Sequence, residues 1–200
     1  SDELIKRVAA AKKVCVLTGA GISAESGVPT FRGGGQTAVW KGIPFDEISS
    51  AKMVKENLPE VWEWFDYRRG VLKDCQPNEA HRALMIWESR LRENFLLVTQ
   101  NIDGLHTQAG SRNILELHGN IQRSKCTKGC RLKYEMMPTE IPHTPDICDL
   151  CDAPLRPDVV LFGEMLPEGY FEYAVEFTRD CDLFLSIGTS AFVYPAAGLA

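Results

Sequence analysis

The feature that most constrains the fold is a short apolar run that leads directly into a glycine-rich turn. Residues 13–17 (KVCVL) have the composition of a buried strand, and residues 18–24 (TGAGISA) follow them. The turn fits Gly-x-Gly-x-x-Ala, in which two glycines allow a tight bend and a close backbone approach. Unpaired N–H groups at the start of the next helix would favour a pyrophosphate. A strand–turn–helix unit of an α/β protein is therefore predicted.

The segment after this turn differs from an ordinary dinucleotide-binding domain. Such domains continue with a second strand and place a ribose-binding acid about twenty residues further on. Residues 25–35 (ESGVPTFRGGG) instead form a loop rich in glycine and proline, and helical stretches follow. An ordinary hydride-transferring Rossmann domain is therefore disfavoured.

Polar side chains follow two further apolar runs. Residues 100–103 (QNID) come directly after the run 95–99, and His118 comes directly after the run 114–117. Side chains at such strand ends converge in the crevice where open α/β sheets bind ligands. They bring amides, a carboxylate and one titratable base together, which predicts a reaction site. The other three histidines, His81, His106 and His143, are expected to be structural.

The alternation of strand-like and helical stretches predicts a Rossmann-like, mainly parallel sheet with helices on both faces. The predicted strands are residues 13–17, 95–99, 114–117, 158–162 and 182–187. The predicted helices are residues 59–74 and 78–93, with Asn78 as the N-cap of the second, after an amphipathic helical stretch at residues 1–13. Residues 121–157 are expected to form a small insert.

Four of the seven cysteines are paired along the chain. Cys126 and Cys130 have three residues between them, and after seventeen more residues Cys148 and Cys151 have two between them. This is close to the two-knuckle zinc pattern, in which four thiolates surround Zn²⁺ and leave no open position. A structural zinc is predicted, with Gly129 absorbing the extra residue of the first knuckle; free thiols are the alternative. The remaining cysteines, expected to be core thiols, are Cys15, Cys75 and Cys181.

Composition disfavours several classes of protein. With 200 residues and 44% hydrophobic content the chain can bury a sizeable core. A net charge of -5 argues against a nucleic-acid-binding surface. No apolar run approaches the roughly 18 residues that span a membrane, and residues 1–13 carry charges throughout, unlike a signal peptide. We expect a cytoplasmic monomer without membrane or nucleic-acid partners.

Five motifs, in order along nearly the whole chain, resemble those of the sirtuins, which are NAD-dependent protein deacylases. They are residues 19–23 (GAGIS) with 26–32 (SGVPTFR), 100–103 (QNID), 118–119 (HG), 159–164 (VVLFGE) and 188–190 (GTS). The likeness is greatest to bacterial and archaeal members and to the branch that removes acidic acyl groups. It implies an NAD-binding domain of residues 1–120 and 158–200, a zinc-binding module of residues 121–157, and acyl-lysine proteins or peptides as substrates.

The resemblance also implies roles for individual residues. The acyl oxygen would displace nicotinamide from NAD, and His118 would act as general base on the ribose so that the acyl group ends on ADP-ribose. Asn101 would orient the ribose and a water, Asp103 would hold the nicotinamide carboxamide, and Gln100 would contact the ribose. The other residues expected to bind NAD are Gly19, Ala20, Gly21, Ser23, Phe31, Arg32, Ile102, Gly188, Thr189 and Ser190.

Two further features concern the substrate. Phe65 and Arg68 align with a Tyr-x-x-Arg pair that some sirtuins use for succinyl- or malonyl-lysine, and positions three apart share a helix face. The arginine is kept and the hydroxyl is absent; in the alternative, Arg68 merely pairs with Asp66 or Glu63. An extended peptide is expected to pair with residues 160–164 by strand addition, unless they form an ordinary edge strand. The residues concerned are Val160, Phe162, Gly163 and Glu164.

Two other functions stay open at this stage. An ADP-ribosyltransferase would use the same activation of NAD, although the sirtuin relatives that specialise in it lack the histidine. A non-catalytic NAD-binding module is the other alternative, because family members continue past the position of Ala200 with strands that carry an adenosine-binding Asn. Those strands are expected to be missing here, whether the chain is part of a longer protein or naturally short.

Overall fold

The computed structural model describes residues 2–29, 39–130, 133–136, 141, 147–189 and 195–199. The strands are β1 (Val14–Thr18), β2 (Val39–Trp40), β3 (Ile43–Pro44), β4 (Phe95–Thr99), β5 (Ile114–Glu116), β6 (Gly119–Cys126), β7 (Lys133–Glu135), β8 (Leu155–Val159) and β9 (Leu183–Ile187). The α-helices are α1 (Asp2–Ala10), α2 (Phe45–Ile48), α3 (Ala51–Glu56), α4 (Leu58–Leu72), α5 (Glu79–Leu91), α6 (Leu105–Gln108) and α7 (Tyr170–Arg179). None of the described helices is long and apolar enough to span a membrane.

Four strands form a parallel sheet in the order β5-β4-β1-β9. Every residue of β1 and β4 is buried, because helices cover both faces. On one face Cys15 and Leu17 pack with Phe177 of α7, and on the other Val14 and Val16 pack with Leu84 of α5. The predicted parallel α/β sheet is confirmed.

The prediction of a strand at residues 158–162 in the parallel sheet was wrong in both the bounds of the strand and its partner. Strand β8 spans Leu155–Val159 and pairs antiparallel with β6 in a separate sheet of order β7-β6-β8, called here the small sheet. An apolar run indicates burial but does not identify the strand with which it pairs. The small sheet begins at Gly119 and ends at Val159, so it extends slightly beyond residues 121–157.

The start of α5 follows the prediction. The side chain of Asn78 accepts hydrogen bonds from the N–H groups of Ala80 and His81, at 2.9 and 3.4 Å. In return the N–H of Asn78 donates to Nδ1 of His81, at 3.2 Å. A histidine thus closes this capping box, where glutamate or glutamine is usual.

Candidate active site

A cleft of about 1400 Å³ opens at the carboxyl ends of three parallel strands. Gly19 follows β1, Gln100 follows β4 and Gly188 follows β9, and all three line the cleft. The other sequence-predicted residues that line it are Ala20, Gly21, Asn101, Ile102, Asp103, His118, Thr189, Phe65, Arg68, Val160, Phe162, Gly163 and Glu164. Three predicted residues, Phe31, Arg32 and Ser190, lie outside the described residues. The same is true of His143.

The floor of the cleft is made of backbone in close contact with backbone. The N–H of Gly21 donates to the carbonyl oxygen of Gly188 at 2.7 Å. A Cβ on Gly21 would lie 2.8 Å from Cα of Gly188, and a Cβ on Gly188 would lie 2.2 Å from the nitrogen of Ile22. The helix that follows the turn is a 3₁₀ helix, Ala20–Ser26. Only glycine fits these positions, and the absence of a side chain at each lets a ligand approach the backbone.

Asn101 and Asp103 are held by one buried serine. Asn101 Nδ2 donates to the Gly19 carbonyl at 3.1 Å and to Ser23 Oγ at 3.2 Å. Ser23 Oγ in turn donates to Asp103 Oδ2 at 2.7 Å, while Asp103 Oδ1 accepts from the N–H of Leu105 at 2.9 Å. Ser23 is fully buried behind these two residues, so its hydrogen bonds fix their orientation.

The ring of His118 has a defined orientation. Its Nδ1 lies 3.0 Å from the carbonyl oxygen of Gln100. A carbonyl only accepts hydrogen bonds, so Nδ1 carries the proton and Nε2 is the nitrogen suited to act as a base. The Gln100 side chain accepts from Thr189 Oγ1 at 2.8 Å. The Nε2 of Gln100 is buried and has no hydrogen-bond partner in the described part of the chain, which suits a ligand with an acceptor oxygen.

Two buried histidines lie behind this site. His81 Nε2 is 3.3 Å from Ser23 Oγ, His106 Nε2 is 3.0 Å from Thr18 Oγ1, and the two ring centres are 4.7 Å apart. Burial lowers the pKa of His81, and burial followed by the charge on His81 lowers the pKa of His106 to about 3. Both rings are therefore neutral near pH 7. Burial and these hydrogen bonds agree with the expected structural role, but the sequence did not indicate that His81 contacts Ser23 or that the two rings meet.

Phe65 and Arg68 share the wall of the cleft formed by α4. The guanidinium carbon of Arg68 lies 5.7 Å from the Phe65 ring centre and 5.6 Å from that of Trp64. Burial lowers the pKa of Arg68 to about 10, and the charge on Asp103 opposes this, so the side chain is a cation near pH 7. The two acids named as alternative partners each have another cationic partner. Asp66 pairs with Arg69 at 3.1 Å, and Glu63 pairs with Lys41.

The segment 160–164 has already used most of its backbone donors. The N–H of Val160 donates to the His118 carbonyl, and the N–H of Leu161 donates to the Glu164 carboxylate. The N–H of Phe162 donates to the Ser49 carbonyl, and the N–H of Glu164 donates to the Leu161 carbonyl. The Phe162 carbonyl also accepts from Ala51 N at 3.0 Å. Strand addition through the N–H groups of residues 160, 161, 162 and 164 is therefore blocked, and any pairing there must use the remaining groups.

The four paired cysteines converge at the outer end of the small sheet. All four Sγ atoms of Cys126, Cys130, Cys148 and Cys151 lie within 4.8 Å of one another. Zn–S bonds of about 2.3 Å in a tetrahedron require S···S separations of about 3.8 Å. The cluster therefore fits structural zinc. Gly129 has φ +79°, which accommodates the third intervening residue as predicted. Of the remaining cysteines, Cys15 and Cys75 are buried and Cys181 is half-buried.

Comparisons with known proteins agree with this geometry. A profile of the Sir2 family matches residues 19–195. An NAD-dependent protein deacylase of Aquifex aeolicus is 44% identical over 93% of this chain and 76% of its own length. A Sir2 homolog–NAD complex superposes with a TM-score of 0.88 at 39% identity, covering 100% of this chain and 76% of the other. Sir2Tm bound to a propionylated peptide gives 0.80 at 30% identity, covering 99% and 79%.

Proposed function

The chain belongs to the Sir2 family, and we propose that it acts as an NAD-dependent deacylase of acyl-lysine in proteins or peptides. The observation that carries this is the arrangement of His118, Asn101 and Asp103 around one cleft with a glycine floor. NAD would supply an anomeric carbon with a good leaving group, nicotinamide. The acyl group would then be transferred to ADP-ribose.

The described residues suit such a ligand. Gly19, Gly21 and Gly188 have no side chains, so a pyrophosphate could approach the backbone of the floor, although the N–H groups of Gly19 and Gly21 already donate to carbonyl oxygens. The Nε2 of Gln100, which has no hydrogen-bond partner among the described residues, would donate to a ribose hydroxyl. Asp103, oriented by Ser23, would accept from the nicotinamide carboxamide.

His118 is proposed as the general base. The hydrogen bond from Nδ1 to the Gln100 carbonyl leaves Nε2 as the acceptor for a ribose hydroxyl proton. Asn101, fixed by two hydrogen bonds from Nδ2, would position the ribose and a water molecule. General-base catalysis of this kind contributes about 10² to 10⁴-fold to a rate.

We propose that the accepted acyl groups include acidic ones. Arg68 would bind a distal carboxylate of a succinyl or malonyl group, because it is a cation that lines the same cleft as His118. Phe65 lacks the hydroxyl that a tyrosine would add, so deacetylation with a secondary desuccinylase activity is expected. The monomeric state, the cytoplasmic location, and the division into residues 1–120 with 158–200 and residues 121–157 stay predictions.

Mass spectrometry of an acetyl-lysine peptide incubated with the protein and NAD tests the proposal. A deacylase yields the free-lysine peptide, nicotinamide and O-acyl-ADP-ribose, and a reaction without NAD is the control. An ADP-ribose adduct on the protein with an intact acetyl peptide would indicate an ADP-ribosyltransferase. If neither product formed, only an NAD-binding module would remain, and the proposal would be overturned.

A further inference from the structure

The carboxylate of Glu164 is fully engaged by protein groups, although the residue lines the cleft and its side chain is 22% exposed. Both of its oxygens accept hydrogen bonds from the guanidinium of Arg156, one of them at 3.0 Å. The oxygen that lies 3.0 Å from Arg156 also accepts from the N–H of Leu161 at 2.9 Å. Arg156 is 6% exposed and donates further to the carbonyl oxygens of Val159 and Pro157, at 2.7 and 3.3 Å. Glu164 thus ties the turn 161–164 to the last strand of the small sheet.

The contact between Arg156 and Glu164 is a strong interaction for a glutamate side chain near the surface. A two-pronged contact between arginine and carboxylate adds geometric specificity as well as energy. Burial alone would raise the pKa of Glu164, but the hydrogen bonds from Arg156 and Leu161 lower it, so the pair stays ionised. Lys125 and Asp158, 3.5 Å apart, add charges of both signs beside it.

The ion pair stands between the zinc-binding cysteines and the cleft. Arg156 lies opposite Lys125 in the small sheet, and the next pair in the register is Leu155 with Cys126. At the other end, Phe162 is held by its N–H bond to the Ser49 carbonyl at 2.9 Å. Gly163, with φ +86°, makes the bend between Phe162 and Glu164. The turn is therefore fixed at two points, and Arg156 supplies one of them.

We propose that Arg156 and Glu164 act together as a positioning pair that sets the turn 161–164 for binding of the acyl-peptide. Glu164 then acts through Arg156 and not by contact with the peptide, since both carboxylate oxygens are engaged within the protein. The inference rests on the proposed deacylase function. It adds Arg156, which lies outside the cleft, to peptide recognition, and it assigns Glu164 a positioning role instead of direct contact with the peptide.

A double-mutant cycle tests this pair. Glu164→Gln is expected to raise KM for the acyl-peptide about tenfold, the factor that corresponds to loss of one hydrogen bond to a charged group. The kcat and the KM for NAD should stay within about twofold, because positioning of the peptide is separate from the base. Arg156→Met should act in the same direction, and the double variant should be no worse than the worse single variant. Effects on peptide KM that multiply in the double variant would overturn the proposal.

Two further variants complete the kinetic test. Arg156→Lys keeps the charge without the two-pronged geometry, so its peptide KM should lie between those of the wild type and Arg156→Met. Glu176→Gln, an exposed glutamate of α7 that does not line the cleft, controls for the simple loss of a negative charge and should change peptide KM by less than about twofold. A peptide KM raised as much by Glu176→Gln as by Glu164→Gln would count against a specific pair.

Amide hydrogen exchange of the free protein provides a readout that needs no activity. The amides of residues 160–164 should exchange faster in Glu164→Gln than in the wild type, while those of β1 and β4 stay unchanged. Unchanged exchange at residues 160–164 would overturn the positioning role. A wild-type protein that lacks deacylase activity would instead refute the proposed function. Hydrogen exchange would still test whether the ion pair orders residues 160–164.

Discussion

The two sheets that meet at the cleft are stabilised in different ways. The two central strands of the parallel sheet, β1 and β4, are completely buried, with apolar clusters on both faces of the sheet. The buried cluster at the outer end of the small sheet consists of Cys126, Cys148, Ala153 and Leu155, and two of these four belong to the cysteine cluster that fits zinc. Beside them Asp158, 3% exposed, pairs with three cations. The parallel sheet therefore depends on apolar burial, whereas the small sheet combines apolar contact with α4 with a cysteine cluster that fits zinc and with charge.

His118 lies where these two regions join. Its Nδ1 binds the Gln100 carbonyl at the end of β4, and its own carbonyl accepts from Val160 N, which follows β8, at 2.9 Å. The position of His118 therefore depends on both sheets, so that unfolding of the small sheet is expected to disturb the proposed base. The predictions below separate the two contributions.

Removal of the metal should have the largest effect. Cys148→Ser or strong chelation should unfold the small sheet and abolish activity, since a structural Zn²⁺ contributes about 10–16 kcal/mol of apparent binding free energy to folding. Elemental analysis measures the loss of zinc, and turnover measures the loss of activity. Hydrogen exchange should be faster at β6 and β8, while β1 and β4 stay protected. Cys181→Ser, outside the cluster, is the matched control. Fully active protein that contains no zinc would contradict this.

Removal of the base should have the next largest effect, and it tests the chemistry separately from the metal. His118→Ala should lower kcat by about 10² to 10⁴-fold, because Nε2 is the proposed proton acceptor. The zinc content and the affinity for NAD, measured by calorimetry, should change little. A variant with wild-type turnover would remove His118 from the mechanism.

The acyl pocket should give a smaller effect, confined to selectivity. Arg68→Met should lower the succinyl-to-acetyl ratio of kcat/KM by about tenfold or more, since a hydrogen bond to a charged group contributes about 1.5–3 kcal/mol. Phe65→Tyr should raise the same ratio, because its hydroxyl would add a donor near the carboxylate. If neither variant altered the ratio, the assignment of this pocket would be wrong.

The smallest effect concerns acid stability of the parallel-sheet side. His106 has a pKa of about 3 in the folded protein, whereas an unfolded histidine binds a proton near pH 6.5. Between these values the unfolded state holds more protons, so stability is complete above about pH 6.5 and falls as the pH decreases. The slope contributed by this group is at most about 1.4 kcal/mol per pH unit.

The variant His106→Gln isolates that contribution. Urea unfolding of wild type and variant at pH 7 and pH 5 gives the difference between their slopes, so that contributions common to both proteins cancel. The variant should lose less stability on acidification, whatever its stability at pH 7. Equal slopes would show that His106 does not titrate on unfolding.

Features encoded by local residue types were predictable from the sequence. The run 95–99 is continuous and apolar, and its predicted bounds are those of β4. Asn78 has the side chain of a helix cap, and the spacing of four cysteines identifies a zinc cluster without knowledge of the fold. Each of these signals depends on only a few neighbouring residues.

Features that depend on tertiary packing were not predictable in the same way. The apolar character of residues 158–162 did not disclose that β8 pairs with β6. His81 and His106 gave no sign that they meet behind Ser23, because the three residues are far apart in sequence. Arg156 and Glu164 belong to residue types that are common at protein surfaces, and only the fold brings them together as an ion pair between a buried arginine and a half-buried glutamate.

The contact between Gly21 and Gly188 has a consequence for how the protein can evolve. Each glycine is confined by the main chain of the other segment, with an added Cβ 2.8 Å from Cα of Gly188 in one case and 2.2 Å from the nitrogen of Ile22 in the other. A clash with a side chain can be relieved by a smaller residue elsewhere, but the main chain offers no smaller alternative. Gly21→Ala should therefore lack intragenic suppressors at the contact, and a genetic selection should return only revertants.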